Sequence, residues 1–237
     1  MRVFIGYDRL ENDAAKVAER SLRAVSPSVD ITLLDVRALR NAGLYTRQAF
    51  NVSDTNQRYD SIDMRPFSTE FSFTRFLIPA LTQWTGTALY TDSDVLFRKD
   101  IAPLFIQHDE LPRSHSKAIY CVKHDYSTPS DMTKMRGGLR QYPYLRKNWS
   151  SVMFFDCGHR ANWFLTPHMV NTAYGRELQQ MFWLDDNEIG SLDGQWNWLE
   201  GHGSPHIDPA IVHYTRGTPN VPGHSDTPFA DEWWSYL

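Results

Sequence analysis

Residues 2–36 constrain the fold more than any other stretch. "RVFIGY" (2–7) is a compact apolar run that reads as a strand. "ENDAAKVAERSLRAV" (11–25) then brings Ala14, Val17, Ala18, Leu22 and Val25 round at helical spacing. "VDITLLDV" (29–36) is a second strand. Strand, helix, strand at this spacing makes a βαβ unit with parallel pairing, so the expected class is α/β. Asn12 or Asp13 is the expected helix cap. The first strand ends in Gly6, Tyr7 and Asp8, at the carboxyl edge where such sheets place ligands.

Later segments continue the pattern. "TEFSFTRFLIPAL" (69–81) reads as a buried helix capped by Ser68 or Thr69, with Pro79 near its end. "TALYT", "AIYCV", "WSSVMFFD" and "AIVHYT" read as further strands. "TPHMVNTAYGRELQQMFWL" (166–184) reads as mainly helical, with Thr166 as N-cap and Pro167 in the first position. Residues 41–68 read as one long irregular loop, and "FADEWWSYL" as a terminal lid or anchor. With 237 residues, 41% of them hydrophobic, one core and one domain over 1–237 are expected.

"TALYTDSDVLFRKDI" (87–101) sets the chemical question. Asp92 and Asp94 close an apolar run one residue apart and repel each other. Either they are solvated, or something positive binds there. Residues i and i+2 of an extended segment point to one side, so both carboxylates can reach one cation. Their hard oxygens suit Mg²⁺ or Mn²⁺. His213 ends a later apolar strand, and an imidazole ligand favours Mn²⁺. In the following "TRGTP", Arg216 offers a cationic donor to phosphate and Gly217 permits close backbone approach.

These motifs, taken in order, resemble the GT-A-fold glycosyltransferases, in particular the family 8-like retaining enzymes that use nucleotide sugars. "VFIGYD" resembles their opening nucleotide-binding strand and "EFSFTRFLIPAL" a helix whose arginine faces the donor. "LYTDSDVLF" resembles their metal-binding D-x-D strand and "NWSSVMFFD" their N-S-G-V-M strand. "LDDNEIGSLDGQWNWL" and "AIVHYTRGTPN" resemble their P-D-Q-D segment and their late histidine–glycine–K-P-W element. The resemblance implies one GT-A domain with a Rossmann-like mixed sheet flanked by helices. It implies Asp92, Asp94 and His213 as ligands of Mn²⁺ or Mg²⁺. Asp8 would read the base or ribose of a UDP-linked sugar, Tyr7 would stack nearby, and Gly6 and Ser93 would line the same donor site. Arg75 and Asp186 would hold sugar hydroxyls. Asn187 would sit near the anomeric carbon; an amide is a poor nucleophile, which favours front-face attack with retention. Three positions depart from the pattern: Ser151 replaces a glycine, Asn187 a glutamine, and "TPN" replaces K-P-W, so its lysine is missing.

Two other readings compete. "LYTDSDV" also fits a haloacid-dehalogenase-type phosphatase, with Asp92 as nucleophile and Asp94 as general acid, although some ninety residues precede it. A non-catalytic carbohydrate-binding relative is the other. A net charge of −4 and a pI near 6.1 give no basic footprint for nucleic acid. The opening apolar run and all others are too short for a signal peptide or a membrane span, and the two cysteines read as buried free thiols. A soluble, cytoplasmic protein is expected, free or resting on the inner membrane surface, with a glycan or lipid-linked acceptor. The acceptor is expected at 41–68 and 124–149, the basic residues of 134–147 being read as a solvated loop.

Overall fold

A computed structural model describes residues 1–51, 57–112, 115–125, 133–134, 139–140 and 146–237. The βαβ unit forms as its pattern requires: β1 (Arg2–Tyr7), α1 (Asn12–Val25) and β2 (Asp30–Asp35). β1 and β2 pair in parallel, from Arg2 opposite Asp30 to Tyr7 opposite Asp35. α1 buries Ala14, Ala15, Val17, Ala18, Ser21 and Leu22. Neither Asn12 nor Asp13 caps it. A 3-10 turn, Arg9–Glu11, precedes it instead, and Asp8 caps that turn by accepting from the Leu10 amide at 2.9 Å.

A short α2 (Val36–Asn41) follows. The segment expected as an irregular loop then folds into a small antiparallel sheet: β3 (Ala49–Asn51), β4 (Arg58–Asp60) and β5 (Pro66–Phe67). Its strands are only two or three residues long, so no alternation builds up for sequence reasoning to detect. Residues 52–56 of this stretch lie outside the described residues. One buried ion pair ties the small sheet down. Arg47 and Asp60 side chains are each 1% exposed, with Nε–Oδ1 at 2.7 Å. Arg47 also donates to the Val170 and Ala173 carbonyls and lies 4.3 Å over the Phe73 ring.

Residues 69–81 are not one helix. They form 3-10 turns at Glu70–Ser72 and Thr74–Leu77 and a single α turn, α3 (Ile78–Leu81). Phe73 at φ −118° separates the turns, and Pro79 removes a backbone donor from the helix beyond. The expected burial does hold for Phe71, Phe73, Phe76, Leu77 and Ile78.

The chain continues through β6 (Thr87–Thr91), β7 (Val95–Phe97), α4 (Ala102–Asp109) and β8 (Ile119–Cys121). Next come β9 (Thr133–Lys134), β10 (Leu139–Arg140) and β11 (Val152–Asp156). Much of 124–149, the second stretch expected to take the acceptor, lies outside the described residues. α5 (Pro167–Thr172) is capped by Thr166 as expected, and α6 (Gly175–Gln179) follows a break at Ala173. β12 (Ile189–Ser191), β13 (Trp198–Leu199), β14 (Ile211–His213) and α7 (Ala230–Ser235) complete the chain. The main sheet runs β12-β8-β11-β6-β1-β2 and is mixed, since β11 is antiparallel to both neighbours. A second sheet, β13-β14-β7, packs behind it, with α7 burying Trp233 among Leu96, Trp198, Val212 and Tyr214. The tail is thus an anchor. Cys121 and Cys157 are buried free thiols. Among the described residues, no helix is long and apolar enough to cross a membrane.

At the edge away from the strands' carboxyl ends, α4 lays His108 against Asp156, with Nε2–Oδ2 at 3.6 Å. Ser116 Oγ donates to the same oxygen at 2.7 Å, and Asp109 lies 3.7 Å from Nδ1. The hydrogen bond to Asp156 lifts the His108 pKa against the opposing pull of burial. Burial pushes Asp156 up, but the bonds from His108 and Ser116 outweigh it and leave it lowered.

Two outcomes follow from these contacts. Arg47→Met should lower unfolding stability by about 3–5 kcal/mol in urea titrations, because it strands a buried carboxylate. The double variant R47M/D60L should recover most of the loss. A raised histidine stabilises fully below its unfolded value of 6.5 and stops doing so as pH rises through the folded value. Stability should therefore fall as pH climbs from 6.5 through the raised folded value and level off beyond it, and His108→Gln should flatten this slope in pH-dependent melts.

Candidate metal centre

The joint between the two sheets makes the site. β6 is apolar and buried, and its ladder extends one residue further, since the Asp92 amide donates to the Ser151 carbonyl at 2.9 Å. The chain then crosses to the second sheet. There the Asp94 carbonyl accepts from the Tyr214 amide at 2.9 Å, and β7 begins at Val95. β14 runs antiparallel to β7 with His213 opposite Val95. Asp92 thus belongs to the main sheet, Asp94 and His213 to the second. They are 6%, 2% and 2% exposed, and one ligand atom from each lies within 4.8 Å of the other two.

Each ligand is held by its neighbours. Tyr90, two residues before Asp92 on one strand face, donates its hydroxyl to Asp92 Oδ1 at 2.6 Å. Burial raises the Tyr90 phenol well above its ordinary value, and the adjacent carboxylate adds to this, so it stays a donor. Arg75 Nη2 lies 3.0 Å from the same oxygen, while Nη1 donates to the Ser150 carbonyl at 2.7 Å. Its guanidinium sits 5.0 Å over the Tyr90 ring. Gly6 explains how Tyr90 reaches Asp92: a Cβ there would lie 2.7 Å from the Tyr90 hydroxyl and 2.6 Å from the Phe71 ring.

On the other side, His213 Nδ1 is 3.0 Å from Asn197 Oδ1. The Asn197 amide nitrogen donates to Ser151 Oγ at 3.0 Å and to the Asn148 carbonyl at 3.3 Å, so its oxygen faces the ring. That network assigns the proton to Nδ1 and aims the Nε2 lone pair at Asp94 Oδ1, 3.2 Å away. Two acceptors at that distance are stable with a cation or a proton between them. Two carboxylates and a neutral imidazole fit a divalent ion of the Mn²⁺ or Mg²⁺ kind.

The remaining candidates lie as follows. Asp8 is buried and accepts from Leu10 N, from Glu70 N at 3.0 Å and from Arg58 Nη1 at 2.6 Å. The Arg58 guanidinium therefore covers the carboxylate expected to read a base. Tyr7 donates to Asn12 Oδ1 at 3.1 Å, and Ser93, fully buried, to Glu11 Oε2 at 3.1 Å. Arg216 is exposed just beyond β14 and Gly217 packs under the His224 ring. Asp186 and Asn187 lie on an exposed 3-10 turn, Asp186–Glu188, leading into the edge strand β12. The Asp186 side chain is 89% exposed and pairs with Arg146. Sequence reasoning missed Tyr90 and did not give Asn197 its place behind His213. The i−2 spacing from Asp92 could have found Tyr90; nothing local marks Asn197.

No protein-family model matches the chain. It is 41% identical over 238 aligned positions to Protein CDI of Arabidopsis thaliana, covering 98% of this chain and 84% of that protein. The chain belongs to the Protein CDI family. Among solved structures, the glycosyltransferase GlyE of Streptococcus pneumoniae TIGR4 superposes with a TM-score of 0.58 at 16% identity. That match covers 99% of this chain and 60% of GlyE. The galactosyltransferase LgtC, in complex with donor and acceptor sugar analogues, matches with a TM-score of 0.56 at 15% identity, covering 100% of this chain and 95% of LgtC. This likeness shows the fold: it is the GT-A glycosyltransferase fold, in a divergent form.

Asn197→Ala should weaken Mn²⁺ binding by about 10- to 100-fold, because the imidazole loses the acceptor that fixes its tautomer. Competition with a coloured chelator measures this directly. Tyr90→Phe should act in the same direction by a smaller factor.

Proposed function

We propose that the chain is a metal-dependent glycosyltransferase acting as one catalytic domain. It moves a hexosyl group from a nucleoside-diphosphate sugar, of the UDP kind, to a hydroxyl of a glycan or lipid-linked acceptor. The observation that carries this reading is the convergence of Asp92, Asp94 and His213 from two sheets at one joint of a GT-A fold. Retention of configuration comes with the family 8 resemblance. The cytoplasm, or its membrane face, is the proposed compartment, which the two buried free cysteines suit.

In this reaction the bond from the anomeric carbon to the phosphate oxygen breaks and one to the acceptor oxygen forms. The acceptor's proton passes to the departing phosphate. A divalent ion at the site would supply charge stabilisation for that leaving group. The chain's own residues prepare the site. Tyr90 and Arg75 fix the direction of Asp92. Asn197 sets the tautomer of His213, and Ser151 holds Asn197 while donating to the Asn148 carbonyl at 2.7 Å. The serine that replaces a glycine in the family pattern thereby acquires a structural task. Arg216 and the Gly217 backbone are the proposed phosphate contacts; Asp186 and Asn187 are proposed to meet the sugar. Asp8, with Arg58 across it, is proposed to meet the base.

The phosphatase reading loses ground on one contact set. A nucleophilic Asp92 would have to turn one oxygen to a metal and the other to phosphorus, yet Tyr90 and Arg75 both converge on its Oδ1, so the two oxygens are not both at the reaction's disposal. A non-catalytic carbohydrate binder is separated by experiment. Calorimetry should show UDP binding that depends on Mn²⁺ and disappears in Asp94→Ala, and a screen of UDP- and GDP-sugars should reveal Mn²⁺-dependent donor hydrolysis. Equal UDP binding by wild type and Asp94→Ala would sink the assignment.

A further inference from the structure

Arg75 reaches Asp92 from a cage that two separate turns build. The guanidinium is buried, so its donors need acceptors inside the protein. Nη2 lies 3.0 Å from Asp92 Oδ1, Nη1 donates to the Ser150 carbonyl at 2.7 Å, and Nε donates to the Phe71 carbonyl at 3.4 Å. Phe71 belongs to the 3-10 turn Glu70–Ser72, and Ser150 to the 3-10 turn Trp149–Ser151. A guanidinium is a rigid planar fork. The spacing of those two turns therefore decides where Nη2 points.

Gln179, the last residue of α6, spans the two turns. Its Nε2 donates to the Ser72 carbonyl at 2.6 Å, and its Oε1 accepts from Ser150 Oγ at 2.5 Å. One contact is next in sequence to Phe71 and the other is on Ser150 itself, the two residues whose carbonyls hold Arg75. Ser150 is buried, and among the described residues its hydroxyl has no other hydrogen-bond partner. Only a side chain with a donor and an acceptor at its tip can serve both ends, which an amide does. The helix that delivers it is fixed as well. Gly175 lies against the Phe73 ring, where a Cβ would come within 2.5 Å. Arg47 donates to the Val170 and Ala173 carbonyls just before α6, and the Arg176 amide donates to Asp63 Oδ2 at 3.2 Å.

We propose that Gln179 is a positioning residue for the metal centre: it sets the spacing of the two turns, the turns aim Arg75, and Arg75 aims Asp92. The inference rests on the metal-dependent reading and adds a residue that is not itself among the ligands. Ser150 and Ser151 divide the support between them. Ser150 serves the Arg75–Asp92 arm, while Ser151 holds Asn197 behind His213. Gln179 acts on the first arm, so its influence reaches the metal through the Arg75 fork.

The test is a double-mutant cycle on the full chain, read as Mn²⁺ affinity by electron paramagnetic resonance. Q179L, which keeps the size and loses both hydrogen bonds, should weaken Mn²⁺ binding by about 3- to 10-fold, less than the loss of a group that touches a ligand. R75K keeps the charge beside Asp92 but removes the fork. In the R75K background, Q179L should change Mn²⁺ affinity by no more than about twofold, the scatter of sites that do not communicate. S150A cuts the same bridge from its other end and should reproduce the Q179L loss; it carries the comparison where Q179L does not fold. Wild-type Mn²⁺ affinity in a folded Q179L or S150A variant overturns the proposal and leaves the transferase reading standing. A loss of equal size with and without the Arg75 fork also overturns it, since Gln179 would then act through general stability. Wild-type protein that binds no Mn²⁺ overturns both.

Discussion

Asp92 and Asp94 repel each other across a single serine, and much of the molecule is arranged around that repulsion. Both are buried, so water cannot screen them. The chain separates them by changing sheets between the two residues, which gives each carboxylate a different backbone environment. Asp92 remains in register with β11 through Ser151, while Asp94 is fixed by Tyr214 beyond the end of β14. His213 then arrives from the second sheet to face Asp94. A cation at this point would relieve the repulsion and also fasten one sheet to the other.

The surrounding side chains act on the ligands rather than on solvent. Tyr90 and Arg75 both address Asp92 Oδ1, so that oxygen is held from the protein side. Gly6 matters here through packing: its missing side chain leaves room for the Tyr90 hydroxyl and the Phe71 ring. On the His213 side the relay runs from Asn148 through Ser151 and Asn197 to the ring. A glycine at 151 would leave the Asn197 amide without one of its two acceptors. Divergence at that position is therefore coupled to the way the imidazole is supported.

The parts legible in the sequence were those with a sustained physical signal. β1, α1, β2 and β6 have long periodic or apolar runs, and the D-x-D pair stands out against the apolar residues on both sides. Thr166 was legible as a cap because a proline follows it in the first helical position. The misses have physical causes too. The 69–81 segment is buried on all sides, so periodicity could not distinguish 3-10 turns from a helix. The small sheet's strands are too short to alternate, and the Arg47–Asp60 pair that secures it joins residues thirteen apart in sequence. Asp8 was legible as a strand-end carboxylate, but its partner Arg58 comes from that same unread segment. Lys147 was read with its basic neighbours in a solvated loop, yet it is buried, because composition carries no information on which of them turns inward.

The C-terminal helix shows how far the site's demands reach. Trp233 packs fully buried against Leu96, Trp198, Val212 and Tyr214, behind the pairing of β7 with β14. That pairing sets His213 opposite Val95, one residue from Asp94. Side chains alternate along a strand, so a slip of one residue would turn His213 away and present Val212 or Tyr214 to the carboxylates. Such slips are resisted by whatever prefers one face over the other. Here that is the apolar cluster under α7, which accepts Val212 and would reject an imidazole. The tail thus fixes strand register, register fixes which residue faces Asp94, and the metal-binding geometry depends on a tryptophan that is not among its ligands.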